Sequence, residues 1–91
     1  MNRMTRNELI NKTASTIISD ITICKDTDRM ETLLSEFVDE HHKNGYSDHY
    51  AEDDWSRTLK NVAEKLNGTT YSSKVYTAEL HLAEARYWKN K

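Results

Sequence analysis

Two Asn-Gly pairs are the only strong helix breakers in this 91-residue chain: proline is absent, and the two glycines, Gly45 and Gly68, each follow an asparagine. Proline and glycine are the main punctuation of secondary structure, and Asn-Gly supplies the left-handed residue that ends a helix. A chain with so few stops is expected to be all-α. Apolar spacing agrees. Thr5 and Glu8 have capping-box spacing, and Ile10, Ala14, Ile17, Ile18, Ile21 and Cys24 then recur three or four apart. The β-branched run from Thr13 to Ile23 would also suit a strand, but the three-to-four spacing favours a helix.

A second helix is expected over 28–43, capped by Asp28 with Glu31 completing the box. Met30, Leu33, Leu34, Phe37, Val38 and His41 form its stripe. A third opens near Ser47, where Asp48, Glu52, Asp53 and Asp54 suit the positive end of the helix dipole, and Ala51, Trp55, Leu59, Val62 and Leu66 share one face. A fourth, over 73–88, places Tyr76, Leu80, Ala83 and Tyr87 on one line and should fold back on the third as an antiparallel hairpin. The fold predicted is a small all-α bundle of about four helices in a single domain, 1–91.

The core of such a bundle is thin. Leu, Ile, Val and Phe occupy 16 of 91 positions, under the one-fifth mark at which folding alone becomes doubtful, while a net charge of -2 argues against a self-repelling coil. A polar domain of this size gains from burying surface against a second copy, so a homo-oligomer is expected. The single cysteine, Cys24, cannot make an internal disulfide and reads as a small core residue of a protein in a reducing compartment. No apolar run reaches membrane-spanning length, and the segment MNRMTRNELI lacks the uninterrupted apolar stretch of a signal peptide. The expected location is cytoplasmic, with no membrane contact.

Charge is unevenly placed. Residues 1–25 carry +2, residues 26–56 carry -8 and residues 57–91 carry +4. A DNA binder needs a continuous positive stripe, so the acidic middle argues against nucleic acid as partner. The basic end allows a compact anion. The metal-like cluster Asp39-Glu40-His41-His42 with Asp48-His49 and Glu52-Asp53-Asp54 lacks the four-residue histidine spacing of a helical metal site, and reads as a helix end and a helix start, both in solvent. No Gly-x-Ser-x-Gly elbow and no glycine-rich phosphate loop occur. No enzyme, catalytic residue, metal site or cofactor is therefore expected.

The C-terminal segment offers a ligand-binding constellation instead. Tyr71, Lys74, Tyr76, Arg86 and Tyr87, interleaved with Thr69, Thr70, Ser72 and Ser73, provide faces for base stacking, cations for phosphates and hydroxyls for hydrogen bonds. The same tyrosines, with Trp88, also fit a packed helix face. In this region Leu59-Lys60-Asn61-Val62-Ala63-Glu64-Lys65-Leu66-Asn67, followed by Ser72 to Trp88 with Leu82-Ala83-Glu84-Ala85-Arg86-Tyr87-Trp88, resembles the helical hairpin of phage anti-CBASS sponge proteins. That hairpin is shared with one family of anti-Thoeris sponges and typically ends in a Leu-Glu-Glu-Ala-x-x-Trp-like signature. Ser72-Ser73 stands where the family often has a serine-arginine pair.

The resemblance covers about a third of the chain and implies a non-enzymatic anti-defence protein: an oligomer that sequesters the cyclic oligonucleotides used as immune signals. The five ligand candidates rest on their own chemistry, not on the resemblance. The alternative is a small acidic inhibitor or regulator that engages a host protein through residues 26–56, with Asp48, Asp53 and Asp54 as its contact charges.

Overall fold

The computed structural model describes residues 3–24, 29–70 and 85–89. Helix α1 spans Arg6–Ser19 and continues into a π-helical turn, Asp20–Cys24; α2 spans Met30–Lys43 and α3 spans Asp48–Leu66. A further helical turn covers 85–89, and no strand occurs among the described residues. The architecture is a small all-α bundle in which α3 packs against both α1 and α2.

Local chemistry sets the boundaries. At the start of α1 the Thr5 hydroxyl accepts the Glu8 N–H at 3.2 Å while the Glu8 carboxylate accepts the Thr5 N–H at 3.0 Å, the reciprocal pair that satisfies two orphan donors. Helix α2 ends as its sequence predicts. Gly45 has φ 84°, the Tyr46 N–H donates to the His41 carbonyl at 2.8 Å and the Gly45 N–H to the His42 carbonyl at 3.1 Å, a Schellman stop. Gly68, with φ 83°, follows the end of α3. The start of α2 differs from expectation. Arg29 occupies the cap position and its side chain makes no cap hydrogen bond; Asp28, the expected cap, lies outside the described residues. A guanidinium has no acceptor to offer an N–H, so Arg29 itself cannot act as a side-chain cap.

The core forms where the three apolar stripes meet. Leu9, Ile10, Ala14, Ile17 and Ile21 face Met30, Leu33, Leu34, Phe37 and Val38 across the α3 row Ala51, Trp55, Leu59, Val62 and Leu66. Phe37 and Trp55 meet edge to face, ring centroids 5.3 Å apart. One expectation for α1 fails: Cys24 is exposed rather than a core residue. The π-helical turn bonds i to i+5, which widens the winding and carries residues 23 and 24 off the line set by Ile17 and Ile21. Ile23, which is not on the expected stripe, is 77% exposed. Most of the expected fourth helix, and with it the antiparallel hairpin, lies outside the described residues; Tyr87 and Trp88 at its end are half-buried against the core.

Candidate functional site

The most highly organised cluster lies where the first turn of α1, the last turn of α2 and the first turns of α3 converge. The spacing of α2 puts His41 on its apolar stripe while the acidic-histidine cluster as a whole is expected in solvent; His41 and Asp54 are both fully buried. His41 falls on the buried line of α2 and Asp54 on that of α3, one turn before Thr58 and beside Trp55, so the same periodicity that buries the apolar residues buries these two.

A buried carboxylate requires partners, and Asp54 has three donors. The Arg6 guanidinium grips it as a fork, Nε to Oδ2 at 2.7 Å and Nη2 to Oδ1 at 2.6 Å, and the His41 Nε2 lies 2.9 Å from Oδ2. Burial alone would push the Asp54 carboxyl up. The hydrogen bonds from Arg6 and His41, with their positive charges, outweigh it and hold the carboxyl below the usual carboxylate range. Arg6 is raised above its ordinary value, first by its hydrogen bond to Asp54. Asp53, more than half exposed, adds a looser contact to Arg6 at 3.6 Å and one to Arg57 at 3.5 Å.

The surrounding residues tie the N-terminal segment to the α2–α3 corner. The Met4 N–H donates to Asn44 Oδ1 at 2.8 Å, the Tyr46 hydroxyl donates to the Met4 carbonyl at 3.1 Å, and Asn44 in turn donates to the Glu40 carbonyl at 2.8 Å. Arg3 and Arg6 lie over the rings of Tyr46 and Tyr50, each 4.4 Å from the centroid. His41 packs between Phe37 and Tyr46 at 4.5 and 5.7 Å. Both nitrogens of its ring are engaged, Nδ1 with the Phe37 carbonyl at 2.9 Å, so the ring has no lone pair to present to a substrate. The cluster is built to fasten helices. Among the described residues no group of three or more His, Cys, Asp or Glu could hold a metal ion.

Of the ligand candidates, Tyr71, Lys74 and Tyr76 lie outside the described residues. Arg86 is on the surface with its side chain 54% exposed, 3.5 Å from the Glu31 carboxylate, itself 44% exposed. Tyr87 meets Trp88 edge to face at 5.0 Å. Hollows among the described residues lie elsewhere. A cleft of about 120 Å³ between α1 and α2 has Leu9 and Phe37 at its base and Lys12, Arg29, Glu36 and Glu40 among its lining. A second, of about 260 Å³, is lined by His49, Glu52, Asp53 and Ser56. The first is below the range of roughly 300 Å³ upward expected for small-molecule pockets. The second presents carboxylates and would repel a phosphate. No helix among the described residues is long and apolar enough to cross a membrane.

Compared with known proteins, the chain matches no family model, no curated protein and no solved structure.

Proposed function

We propose that this protein acts by binding rather than by chemistry, as a sponge that captures cyclic oligonucleotide signals on its C-terminal segment at junctions between copies of the chain. The observation that carries the reading is the turn 85–89. It sets an exposed guanidinium, Arg86, beside an edge-to-face Tyr87–Trp88 pair that is half-buried against the core. The Arg86–Glu31 contact is solvent-exposed on both sides and is of the kind worth about 0–1 kcal/mol, so a phosphate can replace it at little cost. A junction between copies also suits the hollows described, neither of which has both the size and the charge to enclose an anionic dinucleotide. The resemblance of 59–88 to the sponge hairpin points to the same ligand class.

Native mass spectrometry with a panel of cyclic di- and trinucleotides tests the reading. The expected result is an oligomer retaining unmodified ligand, with retention lost in Arg86→Ala while the circular dichroism spectrum is unchanged. No retained ligand from the panel, or retention indifferent to Arg86, contradicts it.

A second reading is favoured by the acidic surface. Glu36, Asp39 and Glu52 are exposed and make no ion pair among the described residues, so they are free to meet a basic patch on a host protein. Asp54 does not belong to that surface. Its burial makes it a test of the fold, and Glu36→Gln with Glu52→Gln is the appropriate test of a partner. Loss of a host protein from pull-downs with this pair, in a chain that retains no nucleotide, would favour the inhibitor.

A further inference from the structure

We propose that Asn67 is a site of self-modification, at which the chain converts its own asparagine to aspartate or isoaspartate, while the matching Asn44 is held unreactive by the fold. Asparagine followed by glycine is chemically special. The next backbone nitrogen lies within reach of the side-chain amide carbon, and glycine brings no side chain to obstruct the attack. The nitrogen gives up its proton, its new bond to Cγ closes a succinimide ring, and the side-chain amide leaves as ammonia. Water then opens the ring at either carbonyl, giving aspartate or an isoaspartate whose main chain runs through the side-chain carbon. Of the seven asparagines, only Asn44 and Asn67 precede glycine.

The two pairs stand in opposite surroundings. Asn44 is half-buried with both ends of its amide held: Oδ1 accepts the Met4 N–H at 2.8 Å and Nδ2 donates to the Glu40 carbonyl at 2.8 Å. The attacking group is held too, since the Gly45 N–H donates to the His42 carbonyl at 3.1 Å in the stop of α2. Ring closure at Asn44 must break these bonds. Asn67 and Gly68 are exposed, and neither the Asn67 side chain nor the Gly68 N–H has a hydrogen-bond partner among the described residues. Nothing lies within 4 Å of the position that a Cβ on Gly68 would take. The pair forms the centre of a type II turn, Asn67 at φ -59° and ψ 130° and Gly68 at φ 83°. Bringing the Gly68 nitrogen onto Cγ requires this central peptide to turn about ψ. The bonds that oppose it, from the Thr69 N–H and hydroxyl to the Leu66 carbonyl at 3.1 and 2.6 Å, are local to the end of α3. The product places a new carboxylate at the negative end of the α3 dipole, one turn beyond Glu64, and isoaspartate adds an atom to the main chain just ahead of segment 71–88. The site does not depend on whether that segment holds a nucleotide.

The test ages the whole unmodified chain in mildly alkaline buffer, folded and in urea, and follows ammonia loss by peptide mass spectrometry. Trypsin cleaves after Lys43 and Lys65, which puts the two Asn-Gly pairs in different peptides, and digestion in heavy-oxygen water marks any conversion that occurs during handling. The expected result is that Asn67 in the folded chain converts at least about tenfold faster than Asn44, the effect of two hydrogen bonds that must open before reaction at Asn44. Isoaspartate should be among the Asn67 products, read by its acceptance of a methyl group from an isoaspartyl methyltransferase. Urea should raise the Asn44 rate far more than the Asn67 rate. Asn67→Ser should abolish the signal of its own peptide and leave that of Asn44 unchanged. A folded-state ratio below about tenfold overturns the proposal, because the bonds on Asn44 then do not discriminate between the sites. An Asn67 rate that urea raises by as much as the Asn44 rate also overturns it, because the turn then shields Asn67.

Discussion

Among the described residues two carboxylates are buried, one beside each end of α1, and they are treated differently. Asp54 sits where three elements converge, held by the Arg6 fork at 2.6 and 2.7 Å and by His41 at 2.9 Å. Asp20 sits at the head of the π-helical turn with its side chain 8% exposed, and its nearest cation, Arg29, is 3.4 Å away and 56% exposed. Its Oδ2 has no hydrogen-bond partner among the described residues. Burial of a charge costs free energy at both places, and only the Asp54 end answers it with short, directional donors. The α1 N-terminal end is therefore the fastened end. The end with the π-turn and the loosely held Asp20 is where local opening should begin.

The largest effect expected on this contrast is from Asp54→Ala. Removing one partner of a buried ionic network typically costs about 3–5 kcal/mol, and here it leaves Arg6 and His41 facing an empty site. Urea unfolding would read it as a fall in midpoint with unchanged slope. The matching change at the other end, Asp20→Asn, should stabilise by up to about 1 kcal/mol, because it removes a charge that its neighbourhood does not satisfy. A loss comparable with that of Asp54→Ala would break the comparison.

Acid should reveal the same asymmetry. A carboxyl whose folded-state value is depressed contributes stability that is complete above its unfolded value and is lost as pH falls through the folded one. The Asp54 contribution should therefore persist until the pH is below the usual carboxylate range, seen as a late acid transition that Asp54→Ala removes. Thr5→Ala should cost about 1 kcal/mol through the capping box at the fastened end. Lys12→Ala should cost less than about 0.5 kcal/mol, since its 3.9 Å pair with Glu40 is largely in water.

Much of the fold was legible because it depends on short-range rules. Thr5 and Glu8 specify the start of α1 through their own hydrogen bonds, and Asn44-Gly45 and Asn67-Gly68 mark the ends of α2 and α3 through the left-handed glycine. Where expectation failed, the cause was not local. The π-turn that exposes Cys24 comes from a run, Asp20-Ile21-Thr22-Ile23-Cys24, whose spacing still reads as a helix; one extra residue in a turn leaves no mark in an apolar pattern.

His41 stands on the expected stripe of α2, but its pairing with a buried Asp54 was missed, although the signal was present. His41 continues the line Leu34, Phe37, Val38 of α2, and Asp54 continues the line Ala51, Trp55, Thr58 of α3. A histidine and an aspartate on the facing stripes of two helices joined by a tight stop are in position to pair. That Arg6 would be the third member, 48 residues from Asp54, depends on how α1 crosses α3, which no local pattern encodes. The ligand constellation of 71–88 was read from residue chemistry alone, and Arg86 and Tyr87 are the parts of it that the described structure places, the first on the surface and the second against the core.

The most direct test of the fastened end is a double-mutant cycle between Arg6→Met and Asp54→Leu, with each chain unfolded in urea. If the guanidinium and carboxylate hold the bundle together as described, the two single losses will overlap, giving a coupling of about 2 kcal/mol or more, because each variant strands the other charge. Losses that add to within about 0.5 kcal/mol would mean that the two groups stabilise the fold independently, and the account of this end would be wrong.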